Sequence, residues 1–81
     1  GKGTLLPIGA LPEASTATVE LILVSDIEEV TIRDAGVVVG STITNSGDVL
    51  TCDGRALEVS RPMSMRILAR LNSDVGGEPD G

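Results

Sequence analysis

A chain of 81 residues with twelve acidic side chains, six basic ones, and no histidine, phenylalanine, tyrosine or tryptophan excludes several classes of protein at once. It allows a single domain, its acidity and lack of rings argue against a nucleic-acid partner, and its one cysteine, Cys52, excludes an internal disulfide and a structural zinc site. A core limited to aliphatic side chains lacks the roughly 150–250 Å² that each aromatic would bury, so the composition predicts stabilisation by association with other chains.

Residues 1–15 read as an extended arm, because Gly1, Gly3, Pro7, Gly9 and Pro12 discourage helix and sheet alike. The arm also carries Leu5, Leu6, Ile8 and Leu11, which need an apolar surface to rest on. That surface is either the chain's own domain or a neighbouring copy, and the sequence leaves both open.

The body, residues 16–72, reads as one β-rich domain. Thr18 to Val24 alternates as a strand, with Val19, Leu21 and Leu23 on one face and Glu20, Ile22 and Val24 on the other. Ser25 and Asp26 supply a turn, and Glu28, Val30 and Ile32 then alternate with Glu29, Thr31 and Arg33 as a second strand. Val37 to Thr44, rich in β-branched residues and interrupted by Gly40, reads as a third strand with a bulge.

Asp53-Gly54 is the strongest local signal, a two-residue type I′ hairpin turn that fixes the register around it. Cys52 then faces Arg55 and Leu50 faces Leu57, so Leu50, Cys52, Leu57 and Val59 share the inward face and the thiol is a small buried hydrophobe. After Pro62, alternation of Met63, Met65, Ile67, Ala69 and Leu71 favours a strand. The helix formers and the Arg66/Arg70 stripe of the same segment also suit a helix. Residues 73–81, with Gly76, Gly77 and Pro79, read as a disordered acidic tail. The expected fold is therefore all-β, a small antiparallel sandwich or barrel of five to six short strands, with 62–72 strand or helix and an extended N-terminal arm.

Chemistry-bearing patterns are sparse. Without histidine the commonest general base is missing, and in the densest acidic group, Asp26, Glu28 and Glu29, the adjacent Glu28 and Glu29 would point to opposite faces of a strand. Asp26 and Asp48 lack the EF-hand spacing, and Gly1-Lys2-Gly3-Thr4 lacks that of a phosphate loop. No catalytic, cofactor or metal site is expected, and the chain reads as a non-enzyme; the enzymatic alternative is an interface site using Asp48 or Asp53. Charge is uneven: acids dominate the first two thirds, whereas residues 55–71 hold Arg55, Arg61, Arg66 and Arg70 against Glu58 alone, so these are either the solvated faces of ordinary strands, the commoner case, or opposite ends that attract.

No apolar run approaches the roughly 20 residues that span a bilayer, and no leader pattern opens the sequence. A soluble protein with no membrane partner is expected, its compartment unspecified.

In strand order, Val19-Glu20-Leu21, Val30 to Arg33, Gly40 to Ile43, Asp48 to Arg55 and Met65-Arg66-Ile67 together resemble the small β-domain shared by flagellar switch and type III secretion ring proteins. The resemblance implies an intertwined homodimer within a larger ring. On the residues alone, the leading expectation is a structural protein that self-associates or decorates a symmetric array such as a virion-type shell, through Leu5, Leu6, Ile8, Leu11, Val37 and Val39. The alternatives are a component of such a ring, or a small β-module that receives a partner's strand along 37–44.

Overall fold

A computed structural model describes residues 3–72. In chain order the elements are β1 (Leu5–Pro7), a 3-10 turn (Ile8–Ala10), β2 (Ser15–Ile22), α1 (Asp26–Asp34), β3 (Thr42–Asn45), β4 (Leu50–Cys52), β5 (Arg55–Ala56), α2 (Arg61–Ser64) and β6 (Ile67–Leu71). The strands form one antiparallel sheet in the order β1-β6-β2-β3-β4-β5. The fold is all-β, as expected, with the helices as insertions between strands.

The arm lies on its own domain. β1 pairs with β6, Leu5 opposite Arg70 and Pro7 opposite Leu68. The 3-10 turn then drops Ile8 into the core, and Leu11 follows it. Two such aliphatic side chains contribute about 3–6 kcal/mol when buried, a large share of the stability of any small domain. Asn45 secures the arm by donating from Nδ2 to the Leu11 carbonyl at 2.7 Å, and the Ala14 amide donates to the Asn45 carbonyl at 2.7 Å.

β2 begins earlier than its apolar alternation suggested and changes face part-way. Ser15, Ala17 and Val19 point inward, but a register shift between Val19 and Leu21 inserts Glu20 as a bulge. One extra residue reverses the alternation that follows. Ile22 and Val24 therefore pack on the core, while Leu21 and Leu23, expected beside Val19, are 46% and 54% exposed.

The second expected strand is instead α1. Ser25 is its N-cap, its side chain accepting from the Glu28 amide while the Glu28 carboxylate accepts from the Ser25 amide. This capping box satisfies two otherwise orphaned donors. Asp26, Glu28 and Glu29 in the first turn and Arg33 in the last also suit the helix dipole. The third expected strand is shortened for a different reason: Val37 enters the core, Gly40 takes φ +99° in a tight turn, and β3 starts only at Thr42.

The hairpin forms with the expected register, Cys52 opposite Arg55 and Thr51 opposite Ala56. Asp53 and Gly54 both have positive φ, 51° and 87°, as a type I′ turn requires. Leu50, Cys52, Leu57 and Val59 face inward. The segment after Ser60 divides: Ser60 caps the single turn of α2, with Pro62 in that turn, and Ile67, Ala69 and Leu71 then alternate inward along β6. The core has no aromatic ring and is filled at its centre by Ile8, Ile32, Ile43, Ile67, Val19, Val37 and Cys52. The expected acidic tail, 73–81, lies outside the described residues.

Candidate functional site

Among the described residues, no three His, Cys, Asp or Glu side chains come together as a metal site. Among the same residues no helix is long and apolar enough to cross a membrane. The surface feature that distinguishes this molecule is the way α1 is held. Of its nine residues only Ile32 is buried, so most of its surface is left for solvent or a partner.

Between α1, the end of β2 and the 37–40 turn runs a groove of about 240 Å³, bounded by Leu21, Val38 and Val39, with Ile22 and Val37 contributing below and Glu29 and Arg33 along one edge. Glu29 and Arg33 form an i,i+4 ion pair at 4.0 Å, which in so exposed a position is worth a few tenths of a kcal/mol. A second contact, Arg66 to Glu28 at 3.3 Å, ties the helix to the loop before β6. Ile27, 82% exposed, and Val30, 50% exposed, lie on the same helix.

Two other hollows are less suited to a ligand. One, bounded by Thr18, Glu20, Arg70 and Asn72, is already occupied by its own polar contacts. Arg70 Nε and Nη2 donate to the Glu20 carboxylate at 2.9 and 3.2 Å, and Thr18 donates to Asn72 Oδ1 at 2.8 Å. The hydrogen bond to Glu20, reinforced by its charge, holds the Arg70 pKa above that of a free guanidinium, so Arg70 is a cation at any physiological pH. The attraction between an acidic front and a basic end of the chain is thus realised here and at Arg66. The other hollow, between the 48–50 and 57–61 segments and Met65, is wide and shallow, with Val49 and Met65 its exposed large apolar residues.

The proposed contact residues do not come together. Ile8, Leu11 and Val37 are core, Leu5 and Leu6 are half-buried on the edge strand, and Val39, 63% exposed, belongs to the groove. Asp53 and Gly54 form the hairpin tip, where Asp53 Oδ1 accepts from the Thr42 amide at 3.0 Å. Leu21, Leu23, Ile27, Val30 and Val38, the exposed apolar residues around α1, were missed as candidates because the strand reading of 28–33 hid the helix. The signal that would have found it is Ser25 followed three residues later by Glu28.

No family model matches the sequence, and no curated protein matches it. Among solved structures, the crystal structure of an iron uptake regulatory protein (FeoA) is similar, with a TM-score of 0.71 and 15% identity, over 84% of this chain and 99% of that one. At that identity the likeness is one of fold.

This finding corrects the expected function. The likeness is to an iron uptake regulatory protein, not to a capsid or virion-type assembly protein, and the structural, shell-decorating role is set aside. The alternatives fall with it. Strand addition along 37–44 has no edge to use, because β3 is paired on both sides, by β2 and β4. The ring-protein resemblance required Val30 to Arg33 as a strand, and those residues are helix.

Proposed function

We propose that this chain is a small non-catalytic regulatory domain of the FeoA type that acts in iron uptake by binding another protein. The observation that carries the reading is the fold likeness, which extends over 99% of the iron uptake regulatory protein's chain. The exposed apolar groove beside α1 supports contact with a protein as the mode of action, since interface centres are apolar with a polar rim. Deleting the gene in its source organism should lower cellular accumulation of radioactive iron several-fold, and re-expressing the chain should restore it. Unchanged accumulation after deletion would remove iron uptake from the reading.

A further inference from the structure

We propose that the arm, residues 3–11, is an exchangeable strap: it leaves its own sheet and takes the same seat in a second copy, so that each core of the resulting dimer is completed by the other chain's Ile8 and Leu11. The inference stands apart from the iron-uptake reading and does not need it.

Strain at the joint is the observation that points to it. Among the described residues, Ala14 and Asp53 are the non-glycine residues with positive φ, 68° and 51°. Asp53 belongs to the hairpin turn, where aspartate is favoured, and its carboxylate accepts from the Thr42 amide. Ala14 has no such compensation. Its methyl group is exposed, and alanine gains nothing local from a region that glycine enters freely. Strain of this kind persists only where the surroundings impose it. Here it is imposed by the link Pro12-Glu13-Ala14, which must turn the chain between Leu11, in the core, and Ser15, the first residue of β2.

The structure fixes what fills the vacated seat. β1 is an edge strand held by β6, with Leu6 opposite Ala69. Ile8 and Leu11 pack in the core, and Asn45 Nδ2 donates to the Leu11 carbonyl. All of these contacts are reproduced when the arm comes from another copy, so the closed and exchanged forms differ chiefly at the link. The closed link keeps the Ser15 amide and hydroxyl donating to the Pro12 carbonyl, at 3.2 and 2.6 Å, and holds Ala14 strained. In the exchanged form the link runs straight out of β2, Ala14 returns to negative φ, the fixed φ of Pro12 suits the extended chain, and water replaces the bonds to the Pro12 carbonyl. Short links under strain favour exchange of an identical element between copies.

The test is to unfold the full chain in urea, with a reductant present to keep Cys52 a thiol, and to refold it at about 10 μM and at about 1 mM before measuring its mass by light scattering. The concentrated sample should contain a dimer that the dilute one lacks. When labelled and unlabelled chains are refolded together, isotope-filtered nuclear magnetic resonance should show contacts from Leu6 of one chain to Ala69 of the other. Ala14→Gly, which forms the same turn without strain, should lower the dimerisation constant roughly tenfold or more, because a dimer relieves two links. Ser15→Ala, which removes a bond of the closed link, should raise it several-fold. The inference is overturned by a monomer after refolding at the higher concentration, or by a dimer whose Leu6–Ala69 contacts stay within one chain, which would be an association of closed copies. An unchanged constant in Ala14→Gly would also overturn it, since the strain would then have no part in the exchange.

Discussion

The Cys52 thiol donates to the Gly36 carbonyl oxygen at 3.3 Å, joining the β4–β5 hairpin to the turn that ends α1. The side chain is 1% exposed, so it is at once a piece of core and a polar tie between two segments far apart in sequence. Cys52→Ala should lower stability by about 1–2 kcal/mol, through a lost hydrogen bond and a small cavity. Urea unfolding should show a lower midpoint with an unchanged slope. In the unaltered protein the thiol should react with a disulfide reagent only as fast as the chain opens.

The cap on α1 should be separable from the core. Ser25→Ala removes the acceptor for the Glu28 amide and should weaken the helix by about 1 kcal/mol. Amide exchange in residues 28–34 should then accelerate roughly five-fold, with the unfolding of the sheet little changed. Ile32→Ala should behave differently, costing about 2–5 kcal/mol globally, because this is the helix residue that fills the core. Equal global losses for both variants would show that helix and sheet unfold as one unit.

Gly54 has φ +87° with nothing within 4 Å of an added Cβ. The cost of Gly54→Ala is therefore backbone conformation alone, about 1–2 kcal/mol. Gly54→Asn should recover part of it, since Asn tolerates the left-handed region better. Thermal unfolding of the two variants side by side is the check.

Gly9 shows the opposite restriction. Its backbone is ordinary, but an added Cβ would lie 2.5 Å from Ser64 Oγ and 2.9 Å from Met65 Sδ. Gly9→Ala should cost about 1–3 kcal/mol by overpacking. Ser64→Ala in the same chain should return part of that loss, measured against the Ser64→Ala single variant in a double-mutant cycle.

The parts of this molecule that local chemistry determines were legible in its sequence. Asp53-Gly54 admits one tight turn, and the turn placed Leu50, Cys52, Leu57 and Val59 on the inward face without further information. Alternation likewise identified Ile67, Ala69 and Leu71. Where two signals compete, composition and helix capping point to different elements. Val30-Thr31-Ile32 has the composition of a strand, yet the cap at Ser25 and the acidic first turn favour a helix, and Glu28 and Ile32 are one helical step apart as well as even-numbered on a strand. Leu21 and Leu23 were misplaced for another reason: a bulge is a property of the pairing between β2 and β6, and no residue in β2 alone announces it. The groove depends on both of these features, so it could not be assembled from the sequence before the helix and the bulge were known.

The single anchoring of α1 has a consequence for how such a domain can change over generations. Because the segment between β2 and β3 reaches the interior chiefly through Ile32 and Val37, its outward residues are free to vary without any compensating change in the sheet. Substitutions can therefore accumulate in this short stretch while the sheet beneath it is inherited intact. Relatives of this chain should differ most between residues 21 and 39 on the outside and least at Ile32 and Val37.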